Sequence, residues 1–137
     1  MTSFWPEGLN IEDTRSPLEI LEQAVDDWKK GGKGIIRLHV DSKQTEDGLE
    51  AHVATVVHVA SSLASEALLQ IENHPRKDYP ANALNMNWQK TLIRTPKEFS
   101  DWLKEVLNSR DAGAIIINHI IACNKVTNQS RTKEDSE

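Results

Sequence analysis

Gly113-Ala114-Ile115-Ile116-Ile117-Asn118-His119-Ile120-Ile121-Ala122-Cys123 is the longest apolar run of the chain, and its reading decides the fold. It opens on the punctuation Asp111-Ala112-Gly113 and gives way to a polar tail. Apolar residues fall on both parities: Ile115, Ile117 and Ile121 on one side, Ile116 and Ile120 on the other. A strand that is apolar on both faces needs cover on both, so the run predicts an interior strand. At about 10 residues it is far short of the roughly 20 that cross a bilayer.

The segment before this run supplies a helix. Thr95-Pro96-Lys97-Glu98 is a capping box with proline at the first helical position. Phe99, Trp102, Leu103, Val106 and Leu107 follow as an amphipathic stripe. Trp88 to Arg94 reads as a short strand. Strand, helix and strand in succession predict a parallel β-α-β unit over 87–123 with a right-handed crossover.

Further back, 74–86 carries Pro75, Pro80 and several asparagines and reads as a long loop, the kind that serves as a lid over a ligand. Residues 62–73 carry Leu63, Ala64, Ala67, Leu68 and Ile71 at helical spacing, which predicts a helix. The alternation Ala67, Leu69, Ile71 suits a strand of a meander as well. Gly34–Lys43 and Leu49–Ala60 flank Asp47-Gly48, a strong hairpin signal. With a two-residue turn Glu46 faces Leu49. Ile36, Leu38 and Val40 then share a core face with Val53, Thr55, Val57 and Val59. Arg37, His39, Asp41, His52 and His58 take the other face. Ser16-Pro17-Leu18-Glu19 is a second capping box, opening a helix over 17–30 that Gly31-Gly32 end.

The expected architecture is α/β or α+β. It is a mixed sheet of four to five strands with an antiparallel hairpin and a C-terminal β-α-β unit, packed by two or three helices. Residues 1–15 form an irregular arm, 16–123 one domain, and 124–137 a disordered polar tail. A length of 137 residues suits a single core. The net charge of −5 argues against nucleic-acid binding. The single cysteine and the lack of a basic, then apolar, leader point to a soluble cytoplasmic protein.

No fixed-spacing catalytic or cofactor motif occurs, so no cofactor is expected. The one constellation above background is His39, Asp41 and His58 on the second hairpin face, where imidazole and carboxylate are legitimate metal ligands. A half-solvated sheet face carrying ordinary polar residues is the plainer reading. His119 reads as a core histidine tied to a carbonyl, and Cys123 as a small buried hydrophobe. Trp5 and Trp88 sit in irregular stretches, with Tyr79 in the long loop, and together they are candidates for a partner-binding surface. The sequence therefore points to a small acidic protein-binding module without catalytic activity. An inhibitor, an immunity-type protein or a homo-oligomer subunit would fit. A metal-dependent hydrolase using the histidine cluster is the alternative, and neither nucleic acid nor membrane is expected as a partner.

Overall fold

The computed structural model describes residues 12–135, with side chains as far as Val126. Both capping boxes open helices. Ser16 Oγ accepts the Glu19 N–H at 3.1 Å at the start of α1 (Pro17–Gly31). Thr95 Oγ1 accepts the Glu98 N–H at 3.2 Å at the start of α2 (Pro96–Leu107). The Glu98 carboxylate reaches back to the Arg94 N–H at 2.7 Å, one residue before the amide that a strict capping box uses.

Between these helices run β1 (Ile36–Gln44), β2 (Glu50–His58), β3 (Ala64–His74), β4 (Lys77–Asn85) and β5 (Lys90–Ile93). They form one sheet in the order β1-β2-β3-β4-β5, every pair antiparallel. With α3 (Arg110–Asp135) the described residues hold three helices, and the fold is α+β.

The deciding run 113–123 is helix, within α3, so the expected C-terminal β-α-β unit is replaced by two consecutive helices. Isoleucines on both parities describe a strand apolar on two faces, and they also describe a helix apolar round most of its girth. Local chemistry breaks the tie. Ser109 Oγ accepts the Ala112 N–H at 3.2 Å, a helix-starting contact, and Asp111 stands in the first turn, where the helix dipole favours an acid. Where a polar tail was expected, α3 continues to Asp135.

Two other segments differ from expectation. Residues 62–73 are largely β3, the strand alternative, with Leu69 and Ile71 turned inward. The expected loop 74–86 is β4 after a tight turn at Pro75-Arg76, so no lid exists there. Pro80 is tolerated because the β5 ladder begins only at Ala81 and the β3 ladder shifts register between Glu72 and His74.

The hairpin exists in a different register. Ile36 faces His58 and Gln44 faces Glu50, leaving Thr45–Leu49 as the turn. The Thr45 N–H donates to the Leu49 carbonyl at 2.8 Å and the Leu49 N–H to Thr45 Oγ1 at 3.1 Å, with Gly48 at φ +82°. This closure pairs the strands one residue out of the expected register, and β2 alone changes faces. His52, Ala54, Val56 and His58 point inward with Leu38, while Val53 and Thr55 turn outward.

The inward face meets all three helices in one core. Leu38, Val56, Leu69, Ile71 and Ile93 of the sheet pack with Ile20 and Leu21 of α1, Phe99 and Leu103 of α2, and Ala112 of α3. Each large side chain so buried contributes about 1.5–3 kcal/mol. Phe99 and Trp102 stack with ring centroids 5.9 Å apart.

Candidate interaction surface

The flipped register divides the expected metal set. His39 Nε2 donates to Asp41 Oδ1 at 2.9 Å on the outward face, both groups well exposed. His58 lies on the opposite face, 4% exposed, where its Nδ1 accepts the Ser61 N–H at 3.3 Å and shapes the β2–β3 turn. Among the described residues no three His, Cys, Asp or Glu side chains gather as a metal would require.

Sequence reasoning missed one polar cluster. Ser42 Oγ lies 2.7 Å from His52 Nδ1, and His52 Nε2 lies 4.0 Å from Glu50 Oε2. Ser42 and His52 are direct partners across β1 and β2, so the bond satisfies a buried imidazole and pins the hairpin. At 4.0 Å Glu50 is too far to orient the ring by a hydrogen bond.

The candidate binding residues separate as well. Trp5 lies outside the described residues. The Tyr79 hydroxyl donates to the Arg15 carbonyl at 2.9 Å and fastens β4 to the entry of α1. Burial, with Asp78 and Asp13 nearby, pushes its phenol well above the ordinary tyrosine value. Tyr79 is thus an anchor. Trp88, on the β4–β5 turn, is 70% exposed, and the length of β4 separates it from Tyr79.

In an antiparallel meander, every second turn falls at the same end. Trp88 therefore shares one end of the sheet with the β2–β3 turn and the entry to β1. That end exposes Ile35, Val59, Leu63 and Trp88, and α3 adds Ile117, Ile121 and Val126. Of the large hydrophobic residues exposed in the described part, Leu92 alone lies on neither this end nor α3.

Two contacts lay α3 along this end. Asn87 Nδ2, on the β4–β5 turn, donates to Asp111 Oδ2 at 3.3 Å, and His119 Nε2 donates to the Leu63 carbonyl at 2.9 Å. The helix advances about 12 Å between Asp111 and His119. That matches the roughly 10 Å of two strand spacings between those turns. Ala112, Ile115 and Ile116 face the core, leaving Ile117 and Ile121 outward. His119 also lies 3.7–3.9 Å from the buried Cys123 thiol, so the two side chains lock one side of the helix.

The backbone at this end is unusual. Lys33, Ser62 and Trp88 have φ of 51°, 59° and 61°, in the left-handed region that penalises a side chain. A tryptophan held there, mostly in water, serves neither packing nor backbone comfort.

One further concavity, a groove of about 570 Å³ between α1 and α2, is lined by Trp28, Leu103 and Leu107 with Arg15 and Lys104 among its polar neighbours. Arg15 is held by Asp13 at 2.8 Å and by Gln23 at 2.6 Å, so its guanidinium is engaged within the chain. Among the described residues no helix is long and apolar enough to cross a membrane. Comparison with protein-family models, curated proteins and solved structures finds no match to this chain.

Proposed function

We propose that this protein is a non-catalytic protein-binding module whose binding surface is the apolar end of the sheet together with the outward side of α3. The observation that carries the reading is the segregation of exposed large apolar side chains to that end. Contiguous apolar surface marks interaction sites, whereas scattered apolar residues are ordinary. The strained, exposed Trp88 supports the same surface, since tryptophan is a preferred interface anchor. An inhibitor or immunity-type role and a homo-oligomer are two forms of this function. The hydrolase alternative loses its support once His58 and the His39–Asp41 pair stand on opposite faces.

Affinity capture from native cells, with the wild type beside a Leu63→Ser/Trp88→Gly variant, tests the proposal. Both changes are at exposed positions, so circular dichroism should be unchanged. The reading expects a stoichiometric protein bound by the wild type and lost by the variant. Equal capture by both proteins contradicts it.

A further inference from the structure

We propose that the outward ridge of α3 pairs with the same ridge of a second copy of this chain, in an antiparallel contact with two-fold symmetry. The inference rests on the binding reading above and names its partner. Gly113, Ile117, Ile121 and Lys125 recur every four residues, which sets them in one line along the helix. All four are exposed.

Gly113 is the first clue to close approach. A Cβ added there would meet nothing within 4 Å, so no contact inside the chain asks for glycine. Glycine is the poorest helix former after proline, and a second backbone drawing near gives it a reason. The second clue is charge. From Ala112 to Asn124 the helix carries no Asp, Glu, Lys or Arg, so this stretch can be desolvated without stranding a formal charge.

Antiparallel pairing sets Ile117 of one copy against Ile121 of the other. It also sets Gly113 against the Lys125 stem, bringing that ammonium within reach of Asp111 of the other copy. Each pair occurs twice about the axis, and the opposed helix dipoles favour the arrangement.

The available area fits a weak, concentration-dependent dimer. Ile117 and Ile121 are 52 and 46% exposed. With the exposed Gly113, Ala114, Asn118 and Lys125 stem beside them they offer on the order of 400 Å² per copy, or about 800 Å² in total, the size of weak, transient contacts. Self-pairing through the β1 edge is the competing geometry. That edge presents exposed Arg37, Asp41 and Lys43, and charges of this kind guard an edge against pairing.

Sedimentation equilibrium of the full chain, from low to high micromolar concentration, tests the pairing. The expected mass rises from 15.4 kDa towards twice that value with concentration. Ile117→Glu/Ile121→Glu should stay monomeric throughout. Gly113→Gln improves the helix within one chain but obstructs the close approach, and should weaken the dimer about tenfold or more. A wild type that is monomeric at every concentration, or a dimer that both variants leave unchanged, overturns the inference. A monomeric wild type that still captures a foreign protein, and loses it in Leu63→Ser/Trp88→Gly, overturns self-pairing and leaves the binding reading standing. A monomer that captures nothing overturns both.

Discussion

The two ends of the sheet are both made of turns between antiparallel strands, yet they expose different chemistry and hold their backbones differently. At one end Ile35, Val59, Leu63 and Trp88 stand in solvent beside α3. There, left-handed backbone is taken by Lys33, Ser62 and Trp88 as well as by Gly34. At the other end lie Glu46 and Asp47, the Pro75-Arg76 turn, and the Asp13–Arg15 pair, with no exposed large hydrophobic residue among those described. Among the described residues its left-handed position is occupied by Gly48, which adopts it without steric penalty. The charged end follows the rules of stability. The apolar end departs from them in both surface and backbone.

Substitutions can break this contrast in a graded way. The largest effect should come from the inner side of α3. Ala112 is 0% exposed, and Ala112→Glu would force a charge into the core and cost several kcal/mol, about 3 or more. Ile117→Glu, on the outer side of the same helix, should change the unfolding free energy hardly at all, by about 0.5 kcal/mol or less. Next come the turns. Gly48→Val places a branched side chain at φ +82° and should cost about 1–2 kcal/mol. Trp88→Gly relieves a comparable strain that offsets the extra freedom of glycine in the unfolded chain, so stability should hold or rise. Thermal and urea melts should therefore shift down for Gly48→Val and not for Trp88→Gly. Smaller still are the caps near the charged end, where Ser16→Ala and Thr95→Ala should each cost about 1 kcal/mol in urea unfolding.

The smallest effect is electrostatic. The Arg15 side-chain hydrogen bond holds the Asp13 carboxyl below its ordinary value. A carboxyl depressed in the folded state adds stability above its unfolded value, near 4, and loses it as pH falls through the lower folded value. The exposed pair is well screened. The difference in urea midpoint between wild type and Arg15→Gln should be slight at about pH 5 and vanish towards about pH 2.

Much of this fold was legible in the sequence, and the errors have physical causes. Ser16 and Thr95 announced two helices because cap, proline and acid repeat in both. The Asp47-Gly48 hairpin was legible too, but a turn closed by Thr45 and Leu49 shifted the pairing by one residue, enough to reverse β2 and divide the histidines. For 113–123, isoleucine density suggested a strand, and the discriminating signal was Ser109, three residues before Ala112. The surface itself was hidden by that reading. In a strand buried on both faces Ile117 and Ile121 would be core, whereas α3 can bury only one side and leaves them in solvent. Of the candidate partner-binding residues, Trp88 is exposed while Tyr79 is an anchor, which no local pattern reveals.

The most direct test of a binding surface at the apolar end is hydrogen–deuterium exchange of the wild type, alone when dilute and then when concentrated or bound to a captured protein. The account predicts that protection grows over 59–63, around Trp88 and along 113–126, with the 45–49 turn unchanged. Protection that grows at the 45–49 turn while the apolar end stays unchanged would contradict it.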